Sequence, residues 1–181
     1  AALMPYVERG LPVIGLEPSC LLMLRDEYHA LGLGSAVAAL ARSALLLEEF
    51  LAREHDAGRL TLSFPDQAGR RVLVHGHCHQ KAFGLMPAMH KVLGLIPGLE
   101  VRTVDSSCCG MGGSFGYKAE HFEVSMAMAE ASLLPAVRGA APDTAIVANG
   151  TSCRHQILDG AGRPAQHLAH VLHAALGHGR T

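Results

Sequence analysis

The sequence predicts an α/β fold: a mostly parallel sheet flanked by helices, built from two pseudo-repeated units of which the first is truncated. Three observations carry this expectation. Short apolar, β-branched runs alternate with longer amphipathic stretches, the pattern that produces parallel strands joined by helical crossovers. Each of the five cysteines follows such a run by only a few residues, and functional side chains of parallel sheets sit in loops beyond the carboxyl ends of the strands. An internal echo pairs Pro-Val-Ile-Gly-Leu-Glu-Pro-Ser-Cys20 with Ala-Ile-Val-Ala-Asn-Gly-Thr-Ser-Cys153, each reading as strand, tight loop, Ser-Cys and helix. The units are expected at 1–62 and 70–181, with 63–70 as a polar linker.

Taken in order, 1–10 reads as the tail of a helix whose beginning is missing, which suggests an excised fragment. Strands are expected at 12–17, 71–75, 99–104 and 144–149. A helix is expected over 35–57, because Val37, Leu40, Ala44, Leu47 and Leu51 recur at spacings of three and four and Gly58 supplies a stop. Glu49 and Arg53 are expected to pair on its wet face. A second helix follows Tyr117 with a stripe of Phe122, Met126, Ala129 and Leu133, kinked or ended by Pro135. The methionines of that stripe read as core filler rather than ligands. A third helix is expected to start at Pro164 and to bury Leu168, Leu172 and Ala175.

Composition excludes several function classes. A 49% hydrophobic content over 181 residues is ample for a buried core, so disorder is not expected. Fifteen basic against sixteen acidic residues leave a formal charge of -1, which gives no electrostatic footprint for nucleic acid or anionic lipid. The apolar run around Leu45–Leu47 is broken by Glu48 and Glu49 far short of a membrane span. With no export signal apparent, the chain reads as cytoplasmic, a location compatible with peripheral association at the inner face of the membrane. An odd cysteine count in that setting points to metal or redox chemistry rather than a disulfide scaffold.

The strongest chemical signal is Ser107-Cys108-Cys109-Gly110-Met111-Gly112-Gly113-Ser114, two adjacent thiols entering a glycine-rich turn. Gly110, Gly112 and Gly113 allow positive φ and let backbone N–H groups approach an anionic inorganic cluster. A buried cysteine pair in a tight turn and a vicinal disulfide are the competing readings. His75-Gly76-His77-Cys78-His79-Gln80-Lys81 is dense in potential ligands but matches no zinc-finger spacing. Cys78 reads as a ligand, whereas hydrogen bonding is preferred to coordination for His75, His77 and His79. Cys153 stands at an expected helix start, where the helix dipole favours thiolate, and Arg154 offers positive charge beside it. Cys20 has the same local design without a Cys-Cys partner in its own unit, and both a ligand role and a vestigial role stay open.

The order Cys78, Cys108-Cys109-Gly110, Cys153 resembles the cysteine-rich CCG domain of heterodisulfide reductase and glycolate-oxidase iron–sulfur subunits. The strings GLEPSCLLMLRDE, HGHCHQKAFG, CCGMGGSFGY and GTSCRHQI are similar to the C-terminal part of fused FAD/FMN-containing dehydrogenase and Fe–S oxidoreductase proteins. The resemblance implies oxidation of a D-2-hydroxy acid such as D-lactate, glycolate or D-2-hydroxyglutarate at a flavin, FAD being held elsewhere in the protein. Electrons would then pass through iron–sulfur centres to an acceptor that the sequence does not identify. The family pattern ends in Cys-x-x-Cys, whereas here Gln156 follows Cys153 and Met23 follows Cys20 at that spacing. Four thiolates remain in the complete unit, Cys78, Cys108, Cys109 and Cys153, the number a [4Fe–4S] cluster needs. Two alternatives use the same residues: a structural zinc module, and an enzyme with Cys78 or Cys153 as nucleophile.

Overall fold

A computed structural model describes residues 2–177. The chain divides into two compact units, up to Leu60 and from Thr61 onward. The architecture is mixed α/β, with parallel sheets flanked by helices.

The first unit runs α1 (Met4–Val7), β1 (Val13–Gly15), α2 (Pro18–Leu22), two 3₁₀ turns, α3 (Ala36–Ser43), β2 (Ala44–Leu46) and α4 (Leu47–Asp56). Strands β1 and β2 pair in parallel, Val13 opposite Ala44 and Gly15 opposite Leu46. The single helix expected over 35–57 is therefore two helices with a strand between them. Leu46 adopts an extended conformation, φ -67° and ψ 158°, because the backbone groups of 44–46 bond to β1 instead of to the preceding helical turn. Periodicity could not show this, since the apolar residues of the strand fall on helical spacing. The break also reassigns Glu49. Its carboxylate accepts from the Leu46 N–H at 3.0 Å and closes the N-terminus of α4. It also receives the Arg25 guanidinium at 2.8 and 2.9 Å, while Arg53 turns to Glu54. The expected Glu49–Arg53 pair does not form.

The second unit runs β3 (Arg71–Val74), α5 (Cys78–Ala82), α6 (Met86–Gly94), β4 (Glu100–Thr103), α7 (Phe122–Glu130), α8 (Leu133–Gly139), β5 (Ala145–Val147), α9 (Thr151–Ala161), β6 (Ala165–Gln166) and α10 (Leu168–Ala175). Its sheet order is β4-β3-β5-β6, all neighbours parallel. The four expected strands are present, each somewhat shorter than read from the sequence. Strand β6 was not expected: Pro164 leads into it, and the last helix begins at Leu168, burying Leu168, Leu172 and Ala175 as anticipated.

The helix after Tyr117 breaks at Ala131–Ser132, and Pro135 falls in the first turn of α8, where its missing N–H has no intrahelical partner to lose. Phe122 is 57% exposed and leaves the expected stripe, which is carried by Ala129 and Leu133. Beneath the strand ends, Val104, Met111, Leu133, Val137, Ile146, Ala148 and Ile157 pack into one apolar cluster that also takes in Cys109 and Cys153. Each fully buried aliphatic side chain there contributes about 1.5–3 kcal/mol. The thiols are thus set into the core rather than hung on its surface. Among the described residues, no helix is long and apolar enough to cross a membrane.

Candidate metal centre

Three successive loops at the carboxyl edge of the second sheet supply the cysteines. The loop after β3 carries His75 and ends at His77, the N-cap of α5, whose Nδ1 accepts from the His79 N–H at 3.1 Å. Gln80 returns its side-chain oxygen to the His77 N–H at 2.9 Å, a capping box that fixes Cys78 as the first residue of the helix. The loop after β4 carries Cys108 and Cys109 into Gly110, which has φ +90°. A Cβ at Gly110 would stand 2.1 Å from the Ser125 carbonyl oxygen, so both the backbone angle and the close approach require glycine. The loop after β5 ends at Gly150, where a Cβ would meet the His77 ring at 2.5 Å and the Cys153 sulfur at 3.1 Å. Cys153 is the third residue of α9.

Four of the five cysteines meet here. The sulfurs of Cys153 and Cys109 lie 3.4 Å apart, Cys108 neighbours both Cys109 and Cys78 at hydrogen-bonding range, and all are free thiols. The Gly110 N–H donates to the Cys108 sulfur at 3.3 Å, and the Met111 N–H favours charge on Cys109. The turn therefore does present N–H groups to the sulfurs, through Gly110 and Met111. Gly112 and Gly113 supply positive φ, +36° and +59°, with little or nothing against their faces. Cys20 is exposed, the third residue of α2 in the first unit, and belongs to neither group of clustered ligand side chains found among the described residues.

The thiols alternate in charge preference. Hydrogen bonds from Cys109 and Cys78 hold Cys108 far below the usual thiol range. The bond to Cys109, opposed by burial and aided by His75, lowers Cys153 to about 5. Cys109 is pushed up by its bonds to Cys108 and Cys153 and by burial, and Cys78 by its bond to Cys108 and by burial. Two thiolates thus alternate with two thiols. Such a set suits a thiophilic metal, which takes up the thiolates and displaces the remaining protons.

Several supporting residues were not legible as such. Lys81 donates from Nζ to the carbonyl oxygens of Ser106 and, at 2.6 Å, Ser107, pinning the chain just before the cysteine pair. Arg154 spends its guanidinium on the carbonyls of Ala148 and Asn149 at 3.0 and 2.6 Å, so it braces the loop before α9. Gln156, standing where a further cysteine was absent, is 4% exposed. Its amide donates to the Ser125 carbonyl and hydroxyl at 3.1 and 3.0 Å, tying α9 to α7 where Ser125 lies close to Gly110. His75 is 1% exposed and contacts Ser106 Oγ through Nδ1 at 3.0 Å. Its density of neighbouring histidines was the only sequence signal for it.

Residues 72–158 match the family described as CCG, a cysteine-rich domain. The chain is 30% identical over 168 residues to one of the subunits of the anaerobic glycerol-3-phosphate dehydrogenase of Escherichia coli K12, covering 93% of this chain and 41% of that protein. It is 30% identical over 168 residues to D-2-hydroxyglutarate dehydrogenase of the same organism, covering 90% of this chain and 16% of that protein. Lactate utilization protein A of an Exiguobacterium species is 27% identical over 121 residues, 63% of this chain and 48% of that protein. The chain therefore spans less than half the length of each of these relatives. No solved structure matches it significantly.

Proposed function

With residues 72–158 a cysteine-rich CCG domain, we propose that the second unit holds a [4Fe–4S] cluster on Cys78, Cys108, Cys109 and Cys153 and serves as an electron-transfer segment of a flavin-linked dehydrogenase. The observation that carries this reading is the meeting of four free thiols from three loops at one sheet edge. Bound there, the cluster supplies one-electron transfer between a flavin and an acceptor. The chain's own residues do the rest. The four sulfurs anchor, the Gly110 and Met111 N–H groups stabilise negative charge on them, and the apolar cluster around Cys109 and Cys153 keeps water away. No general acid or base is required of this segment.

The flavin module, binding FAD, is assigned to another part of the same protein or complex. The relatives' names refer to glycerol 3-phosphate, D-2-hydroxyglutarate and lactate, all small hydroxylated anions, and we assign this protein a substrate of that class, of the D-2-hydroxy acid type. In this reading 1–62 is the C-terminal half of a first CCG-like unit and 70–181 a complete one, working in the cytoplasm.

One observation favours a second reading, a structural zinc site. A tetrahedral ion with metal–sulfur bonds of about 2.3 Å separates its sulfurs by about 3.8 Å, close to the 3.4 Å between Cys109 and Cys153. Production under nitrogen with metal and sulfide analysis separates the two. Brown protein with about four iron and four sulfide per chain, EPR-active on reduction, is expected. Colourless protein with stoichiometric zinc establishes the second reading, and protein that takes up neither metal overturns both.

A further inference from the structure

A buried imidazole stands beside two of the four thiols. His75 follows β3 directly, is 1% exposed, and has its ring fixed by the contact of Nδ1 with Ser106 Oγ at 3.0 Å. Its Nε2 is buried and meets no oxygen or nitrogen partner among the described residues; the one group the ring bonds besides Ser106 is the Cys153 sulfur, whose charge it favours. A ring nitrogen of His75 and the sulfurs of Cys109 and Cys153 all lie within 4.8 Å of one another. We propose that His75 is itself a metal ligand, binding through Nε2 beside Cys109 and Cys153, so that the centre is a mixed imidazole–thiolate site.

Three physical arguments support this. A buried ring nitrogen needs a partner, and the donor atoms grouped with this one are the sulfurs of Cys109 and Cys153, which are metal ligands as thiolates. An imidazole whose other nitrogen is held by a hydroxyl is oriented as metal-bound histidines are, with Nδ1–H donating and the Nε2 lone pair directed at the metal. The sulfurs of Cys109 and Cys153, buried to 4% and 1% exposure, form with Nε2 one face of a coordination polyhedron, and Cys78 and Cys108 lie beyond Cys109. Neutral imidazole in place of a thiolate removes one negative charge from the centre and raises its reduction potential relative to an all-thiolate site.

The inference rests on the metal reading above, and its test separates the two. The full chain is prepared under nitrogen with natural-abundance and with 15N-labelled histidine, and its metal content is measured first. If iron is bound, pulsed EPR of the reduced centre is expected to show a strong nitrogen coupling that rescales with the label in the wild-type protein and disappears in His75→Asn. If zinc is bound, X-ray absorption is expected to show a nitrogen shell at about 2.0–2.1 Å beside sulfur at about 2.3 Å. A bound metal with an all-sulfur shell and no histidine coupling in the wild type overturns the ligand role while leaving the metal reading intact. Coupling that survives in His75→Asn likewise overturns it, and absence of any bound metal overturns both. The wild-type measurement needs no variant, so a folding defect in His75→Asn does not blunt it.

Discussion

Cys20 and Cys153 are set in the same local device and meet different surroundings. Each is the third residue of a helix that follows a short parallel strand, β1 to α2 in one case and β5 to α9 in the other. Cys153 is 1% exposed and sits 3.4 Å from the Cys109 sulfur, whereas Cys20 is exposed and has no second cysteine in its unit. The difference lies in the neighbouring strands. β5 has β3 beside it and β4 beyond, and the loops after both bring thiols to the same edge. β1 has β2, which passes directly into α4 at Leu47 with no loop at all. A strand–loop–helix turn can place one thiol, but a site needs adjacent strands to bring further donors alongside it.

The sharpest way to break this comparison is to remove one thiol from each setting. Cys109→Ser is expected to lower bound metal at least tenfold, because Cys109 is the buried sulfur between Cys108 and Cys153 and its loss splits the row of donors, while Cys20→Ser leaves the metal content unchanged. Elemental analysis of both variants checks it, and metal loss in Cys20→Ser would mean that the first unit's thiol also serves the centre.

The alternating thiols make the next prediction. Around neutral pH, Cys108 and Cys153 carry charge, whereas Cys78 and Cys109, both pushed up, hold their protons. Metal binding must then displace about two protons, so apparent affinity falls about 100-fold for each unit of pH decrease. Below about 5 the Cys153 thiolate is also lost, and the dependence steepens. Calorimetry in buffers of different ionisation enthalpy counts the protons directly. Release of none would show that the four thiols are already ionised.

Much of this was legible in the sequence. β-branched runs located β1, β3, β4 and β5, and the distance of each cysteine from the preceding run put all five thiols at strand ends on one edge; four meet there, and Cys20 does not join them. What stayed hidden depends on partners distant along the chain. β2 is a strand only because β1 lies beside it, and its residues Ala44 to Leu46 carry the same apolar character a buried helix would. β6 is two residues long, too short for any periodicity. His75 looked like one of several histidines; only the tertiary fold shows that its ring is buried, fixed by Ser106 and turned toward sulfur. Gln156 read as a missing ligand, and its amide turned out to brace Ser125.

The glycine turn gives a smaller effect. Gly110→Ala forces a side chain to φ +90° and drives its Cβ against the Ser125 carbonyl, a combination expected to destabilise the unit by about 3 kcal/mol. Gly113→Ala meets open space and is expected to lose only about 1 kcal/mol, from its positive φ. Denaturant unfolding of the two variants side by side measures the difference. Equal losses would mean that the Gly110 approach to Ser125 relaxes at little cost.

Met126→Leu should have the least effect, and its value lies in that contrast. Met126 is half-buried on α7, and its methyl group reaches toward Gly160 of α9. Leucine keeps nearly the same volume, so stability is expected to change by less than about 1.5 kcal/mol and metal content not at all. If metal were lost, the α7–α9 contact would be setting the position of Cys153 along with the strand end, and the thiol would owe its place to helix packing more than to the sheet edge.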